Sequence, residues 1–452
     1  MLFDPSIAMY KSVLNNLYLV FSERYLDTSM LYIPYYYKGK YPSASNEEIE
    51  VIAFLSAIYD FQMRVGSLKT RFIELIDIME RMGCRIWDLM DKSVFKDIFY
   101  ELLRSEGYFH RFDPCGNAVP WIIRVLSNLD LESIASSSRD PDLAIAEALW
   151  KELSRYTSQM TQVEIRRVKN ILPRPNLKSP LKRINLFLRW VVRDEYPDLG
   201  LWKSIDKSKL KIPLGLEIAR VAGRLFFGKD LRVNSIRSLR MVNNVLKRIN
   251  PDDPIKYDFV LSRPALLGIC LRNIDFSHCW TCPLREICRI GRSIKGYSGL
   301  FTDKDYMILK EPIDRRRLGS AIKRHNIVLK QAIRYVRREL GYIDCRSDYA
   351  IDHGLRPDIY CKNTIPLIGE VKTSTSTRQG PMQLKAYYEE LRLREGVREA
   401  NGLLVYGSYN SDDLLFIRET ISLLGLNKLY KNVLIIGLKE NLREVKILYD
   451  IC

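Results

Sequence analysis

Through the first third of the chain, apolar residues recur at helical spacing. Glu48–Tyr59, Leu68–Met82 and Asp142–Tyr156 each carry such a stripe, and the opening MLFDPSIAMYKSVLNNLYLVFSERYL reads as a further amphipathic helix. Turn-forming clusters divide these segments, among them Pro42-Ser43-Ala44-Ser45 and Asp113-Pro114-Cys115-Gly116. Residues 161–292 continue the helical pattern with more basic positions, and no fixed-period repeat is visible. After Cys288 the pattern changes. Arg289–Met307 is rich in Gly, Ser, Lys and Tyr and reads as a linker, and a strongly basic helix follows over Asp314–Leu340. Short β-branched or aliphatic runs come next: Asp348–Cys361, Thr364–Lys372, Leu403–Ser408, Val433–Leu438 and Val445–Tyr449. Helical stretches at Gln383–Arg394 and Asp412–Leu424 interrupt them. Strands that alternate with helices predict an α/β domain. The expected organisation is multidomain: an all-α domain over 1–292, a linker over 293–310 and an α/β domain over 311–452.

Composition narrows the partner more than the fold. The chain has 452 residues, room for two or three domains, and 47% hydrophobic content supports ordinary cores. Lys and Arg number 71 against 54 Asp and Glu, a formal charge of +17, which favours a polyanion. DNA is the first candidate partner, and charge alone admits RNA as well. No stretch is apolar and long enough to cross a membrane. The N-terminus lacks a basic n-region and a small-residue cleavage site, so no secretory signal is expected and a cytoplasmic location is. Nine cysteines are an odd number, and three crowd into ten residues. That favours metal ligation in a reducing compartment over a disulfide framework.

The α/β part carries candidate chemistry. Asp358 ends one predicted strand, and Glu370-Val371-Lys372 lies on the next. Glu370 and Lys372 are two apart, so both side chains leave the same face. A carboxylate there can hold a hard cation while the ammonium stands beside a water that attacks phosphorus. Upstream, His325 sits in the basic helix; downstream, Gln383 and Tyr387 are one helical turn apart. With the run Gly354-Leu355-Arg356-Pro357-Asp358, these residues resemble the RecB-type branch of the PD-(D/E)xK nuclease superfamily over about residues 311–452. The resemblance implies a restriction-endonuclease-like fold in which His325, Asp358 and Glu370 hold Mg²⁺ or Mn²⁺. Lys372 would act on the water, and Gln383 and Tyr387 would position the strand. Glu339 is the rival to His325 as ligand.

A second constellation precedes the linker. Cys279, Cys282 and Cys288 follow a C-x2-C-x5-C spacing, with Cys270 eight intervening residues upstream. Four thiolates can hold an iron–sulfur cluster or a tetrahedral zinc ion. The segment is similar to the cluster loop of endonuclease III and the adenine glycosylases, whose first gap is two residues shorter; that resemblance implies a 4Fe–4S cluster, with zinc as the alternative. Cys84, Cys115, Cys345, Cys361 and Cys452 lack such spacing and are expected to be ordinary core or surface residues.

Further resemblance lies upstream, in Ser179–Arg193, Asp198-Leu199-Gly200-Leu201-Trp202, Ile212-Pro213-Leu214 and Asp253–Phe259. Over about residues 30–290 the chain resembles a microbial family of the helix-hairpin-helix (endonuclease III-like) DNA glycosylase superfamily. Members of that superfamily use an Asp in a V/L-D-T-H motif, and lyases add a Schiff-base lysine. Here the matching run is Leu214-Gly215-Leu216-Glu217, so Gly215 stands where the Asp belongs, while Lys182 matches the lysine. Glu217 is two residues away and is expected to face another direction. Arg166–Arg193 holds nine Lys or Arg and no acid. Its candidate phosphate contacts are Arg166, Arg167, Lys169, Lys178, Lys182, Arg183, Arg189 and Arg193. Trp190, Trp202 or Tyr196 could wedge into a base stack, although Phe187 and Trp190, three apart on one helix, are expected to be core.

The leading expectation is a DNA-processing nuclease whose glycosylase-like domain grips DNA. The alternatives are a DNA glycosylase/AP lyase using Lys182, or a DNA-binding scaffold with both sites inactive.

Overall fold

Local chemistry fixes the helix starts. Ser45 opens the Asn46–Tyr59 helix with a capping box: its hydroxyl accepts the Glu48 N–H at 3.2 Å and the Glu48 carboxylate accepts the Ser45 N–H at 2.9 Å. Thr161 and Glu164 repeat the device at the Gln162–Ile171 helix. The computed structural model describes residues 5–451, apart from 61–64, 107–117, 177–178, 275, 294–314, 348, 350, 352–355, 377 and 439–444. Lys178, Cys115, Cys452, Gly354, Leu355 and all but the first residue of the expected linker lie outside the described residues. The chain divides into two compact units. One comprises Tyr10–Ala219 and Leu231–Val260; the other comprises Met1–Met9, Arg220–Asp230 and Leu261–Cys452.

The first unit is helical. The expected segments appear as Asn46–Tyr59, Val65–Arg81 and Pro141–Tyr156. Its core includes Phe54, Phe187 and Trp202, with ring centroids 5.1 Å apart for Phe54–Phe187 and 5.3 Å for Phe187–Trp202, both edge-to-face. Trp190 is 1% exposed and Trp202 is 2%. Both are therefore core residues, which removes them as wedges; Tyr196 stays 53% exposed.

Two expected DNA contacts need correction. Arg189 and Arg193, on the Lys182–Val192 helix and just after it, are wholly buried. Arg189 bonds Tyr25, Asp258 and Asp198, and Arg193 bonds Asp198 and Asp253, the latter at 2.9 Å. Burial alone would push both guanidiniums down, but Asp198 pulls them up, Asp258 adding for Arg189 and Asp253 for Arg193, and the net shift is upward. These arginines stay charged to hold three buried aspartates and have nothing left for a phosphate.

The second unit is built on a six-stranded sheet: β1 (Cys345–Arg346), β2 (Ile359–Cys361), β3 (Leu367–Lys372), β4 (Asn401–Tyr406), β5 (Asn432–Leu438) and β6 (Val445–Ile451). The strands lie in sequence order. β3, β4 and β5 run parallel, and the other neighbours pair antiparallel. The parallel pairs need crossovers, which the Gly380–Glu395 and Ser411–Leu423 helices provide. The basic helix spans Arg315–Arg338; Val328, Ala332 and Val336, four apart, pack with Val371, Leu403, Val405 and Ile436 in one buried cluster. At Gly369 an added Cβ would meet the Ile359 Cβ at 3.0 Å, so a side chain there would force its β2 partner to shift.

Cys345 and Cys361, expected to be ordinary core or surface residues, are cross-strand partners on β1 and β2 and are disulfide-bonded, with Cys361 in the core. The segment Cys270–Cys288, assigned to the helical domain by its sequence, falls in the unit that holds the sheet. There the Arg378 guanidinium donates to the Leu266 carbonyl at 2.6 Å and the Thr420 hydroxyl donates to the Leu267 carbonyl at 3.4 Å.

Candidate active site and cysteine centre

Because side chains alternate along β3, Glu370 and Lys372 share a face, and Lys372 Nζ donates to Glu370 Oε1 at 2.6 Å. Tyr387, from the Gly380–Glu395 helix, approaches the other oxygen: its hydroxyl lies 3.0 Å from Glu370 Oε2 and 3.2 Å from the Arg356 carbonyl. Asp358, just before β2, accepts the Val371 N–H at 2.8 Å and lies 3.4 Å from His325 Nε2. Asp358, Glu370, Lys372, His325 and Tyr387 are thus brought together. Gln383 lies one turn before Tyr387, and its Oε1 is buried without a hydrogen-bond partner. Glu339 is exposed just beyond the basic helix, about 20 Å along it from His325 at 1.5 Å per residue, too far to replace it.

Exposure grades across this group. Glu370 is 3% exposed, whereas the side chains of Asp358 and His325 are 21% and 31% exposed. Burial pushes the Glu370 carboxyl up; Lys372 pulls it back, Asp358 pushes it further, and the net shift is upward. Its bond to Asp358 raises the His325 imidazole against the opposing effect of burial. A carboxylate raised this way is short of positive charge, which a hard divalent cation would supply.

The four cysteines come together as well. Cys270, Cys279, Cys282 and Cys288, none of them disulfide-bonded, line one small apolar cavity of about 30 Å³ with Val221, Leu225, Pro264 and Leu284 among others. Burial pushes the Cys282 thiol well up, and Cys288, Cys270 and Cys279 add to the shift. Arg224 braces the rim. Its guanidinium donates to the Leu271 and Arg272 carbonyls at 2.6 and 2.7 Å, pairs with Asp230 and lies 3.6 Å from Cys270 Sγ. Thiolates are soft ligands, the type of donor that zinc and iron–sulfur clusters take. Among the described residues, no group of three or more His, Cys, Asp or Glu side chains is placed so that it could hold a metal ion.

In the helical unit, Lys182 heads its helix with Nζ 3.7 Å from Asp60 Oδ2. Asp60 raises the Lys182 ammonium, burial opposes this, and Glu217 and Asp258 add to the rise. A Cβ on Gly215 would stand 3.3 Å from Lys182 Cε and 3.2 Å from Glu217 Oε2. Glu217 therefore does not face away, as its spacing suggested. The helix begins only at Leu216, and side chains in a first turn lean back toward the N-terminus. Its carboxylate reaches the space that Gly215 leaves open.

Residues 36–267 match a family model described as protein of unknown function, DUF2400. The chain belongs to the DUF2400 family. No curated protein and no solved structure matches it. The DUF2400 match takes in Lys182, Gly215 and Glu217 and stops before Cys270, so none of the four cysteines and no strand of the sheet falls within it. No helix in the described residues is long and apolar enough to cross a membrane.

Three contributors around these sites had no signal in the sequence. The Val371 N–H that orients Asp358 depends on how β2 and β3 pair. Asp60 and Arg224 come from segments remote from the residues they serve, 122 positions before Lys182 and 46 before Cys270. Of the expected phosphate contacts, Arg166 is exposed, whereas Arg183 turns inward and donates to the Ile58 and Ile171 carbonyls.

Proposed function

We propose that this DUF2400 protein is a divalent-metal-dependent nuclease that cuts the phosphodiester backbone of DNA. The observation that carries the proposal is Glu370 held between Lys372 Nζ and the Tyr387 hydroxyl, with the Asp358–His325 pair alongside. Asp358, Glu370 and His325 would hold Mg²⁺ or Mn²⁺, which when bound polarises a phosphate oxygen and acidifies water. Lys372, on the same face as Glu370, orients the attacking water and offsets the negative charge that builds as the P–O bond breaks. Tyr387 keeps Glu370 from rotating away, and the Val371 N–H does the same for Asp358. Gln383 supplies an unspent acceptor one helical turn from Tyr387. Labelled DNA with added Mg²⁺ or Mn²⁺ tests the reading. Wild-type protein cuts, and Asp358→Ala does not; a wild type that cuts with neither metal, or an Asp358→Ala variant that cuts equally fast, ends it.

The same proposal gives Cys270, Cys279, Cys282 and Cys288 a 4Fe–4S cluster that pins their segment, with zinc as the alternative ion. Visible absorbance from a brown protein supports iron, and a colourless protein that releases zinc to a chelator supports zinc.

A second reading rests on Glu217. With its carboxylate beside Lys182, the helical unit has both an amine and an acid for base excision or AP lyase chemistry. The Asp60-raised ammonium weighs against it, because a Schiff-base lysine must lose its proton to attack. Borohydride trapping on abasic DNA separates the readings: an adduct that disappears in Lys182→Ala supports lyase action.

A further inference from the structure

The helical unit contains a trough whose larger part draws its cations from outside the basic segment read from the sequence. Its larger part is a cleft of about 410 Å³. One wall is the Ile236–Ile249 helix, where Arg240, Asn244 and Lys247 fall at i, i+4 and i+7 and so share a face. The opposite side brings Arg139, at the start of the Pro141–Tyr156 helix, and Lys209 and Lys211 from the loop before Ile212. Lys211 is spent on Asp140 and Asp142, at 3.0 and 2.7 Å. Arg139, Lys209, Arg240 and Lys247 are exposed, and among the described residues none of the four is ion-paired. Like charges gathered in one cleft repel each other, and an acid could have been placed among them as it was for Lys211. Their convergence from three separate segments is what a polyanion requires.

The cleft does not end there. At Asn176, Ser179 and Leu181 it opens into a second hollow of about 280 Å³, bordered by Arg174, Lys182 and Asn234. Leu181, at the junction, has φ 45°, the one left-handed non-glycine backbone among the described residues. For a leucine that conformation costs on the order of 1–2 kcal/mol and persists only where the surroundings impose it. It brings Lys182 to the mouth of the second hollow. The two hollows make one elongated channel, with cations spaced along it and amide and hydroxyl groups between them. A row of fixed negative charges joined by a polar chain is the complementary ligand.

We propose that this trough binds the phosphodiester backbone of a nucleic acid, with Arg139, Lys209, Arg240 and Lys247 as its phosphate-binding cations. The proposal stands on residues outside the candidate nuclease centre and does not require that centre to cut. Arg240 and Lys247 are exposed on a helix whose buried face is elsewhere, so a charge-reversed pair retains the fold, which a thermal melt verifies.

Fluorescence anisotropy of the full chain in EDTA, with labelled duplex DNA, single-stranded DNA and duplex RNA, reads binding without cutting. The Arg240→Glu/Lys247→Glu variant should bind the preferred strand about tenfold or more weakly, and its salt slope should fall by about 2, near one unit for each phosphate that is no longer neutralised. The charge-matched control Lys151→Glu/Lys428→Glu, exposed and outside the trough, should keep the wild-type slope. The arm that binds tightest tells DNA from RNA. Equal weakening in both double variants, or no wild-type binding to any of the three, overturns the proposal. So does displacement by polyglutamate at equal charge, which would make the trough a site for acidic protein. Asp358→Ala protein that binds normally while wild type fails to cut sinks the nuclease reading alone; cutting by a wild type whose trough variant binds normally sinks only this proposal.

Discussion

Each unit of the protein buries charge, and the two clusters differ in what is left unspent. In the helical unit, Arg189 and Arg193 face Asp198, Asp253 and Asp258 with every group sealed from water or nearly so. In the sheet unit, Glu370 is sealed, but Asp358, His325 and Lys372 grade outward toward solvent. Both clusters raise the affinity for positive charge. The first satisfies it internally with two guanidiniums, so it can do little but hold elements together. The second has one lysine and one histidine against two carboxylates, and three of these side chains still reach solvent. The position of a charge in the fold, more than its presence in the sequence, separates a fastening from a reactive centre.

Four substitutions test that contrast, taken from the largest expected effect. Lys372→Ala should lower metal-dependent DNA cutting about 10²–10³-fold, the usual drop when one fixed electrostatic donor is removed from a reacting centre; unchanged rates in a gel assay would place Lys372 with the fastenings. Arg189→Ala strands Asp258 without its main partner, leaves Asp198 to Arg193 alone, and should destabilise the helical unit by about 3–5 kcal/mol, read by urea unfolding. If cutting survives under conditions where the helical unit stays folded, the two clusters are functionally separate. Tyr387→Phe removes the hydroxyl that holds Glu370 and should raise the Mg²⁺ concentration needed for half-maximal cutting about 10–100-fold with little change in stability.

The smallest effect concerns a half-buried carboxyl outside both clusters. Glu50 accepts the Trp202 indole N–H at 2.8 Å, and burial lifts its pKa to about 7. A folded-state pKa above the unfolded one contributes stability that is present at low pH and lost as pH rises from about 4.5 to about 7, because the unfolded chain gives up its proton first. Glu50→Gln should therefore flatten the fall in stability between those values, an effect on the order of 1–2 kcal/mol in denaturant midpoints measured at the two ends of that window.

Much of this was legible in the sequence where the relevant distance along the chain was short. Glu370 and Lys372 are two apart on a strand, and period-two alternation alone puts them on one face. The helix spacing of Asn46–Tyr59 and Pro141–Tyr156 and the strand–helix alternation after residue 340 follow from the same local rules. Where partners are remote, the reading failed for an identifiable reason. Arg189 and Arg193 looked like phosphate ligands because Arg166–Arg193 contains no acid, but Asp253 and Asp258 lie some sixty residues on and fold back over them. Cys345 and Cys361 carry no motif, and only the pairing of β1 with β2 sets them side by side. Glu217 seemed misdirected because the start of its helix was not evident. Arg139, Lys209, Arg240 and Lys247 belong to no run of charge, so nothing in the linear pattern linked them.

The division of the chain into units also bears on how the protein is made. The helical unit contains no residue beyond Val260, whereas the sheet unit takes Arg220–Asp230 and Leu261–Cys452 together. During synthesis the helical unit can close once residue 260 has left the ribosome, while the segment carrying Arg224 must wait, already translated, until the last strands arrive. For the same reason, a fragment starting at residue 311 lacks the main-chain carbonyls of Leu266 and Leu267 that Arg378 and Thr420 use. Dissecting the protein at its apparent linker would therefore give a sheet unit with missing pieces, and an inactive fragment would say nothing about the chemistry of Glu370.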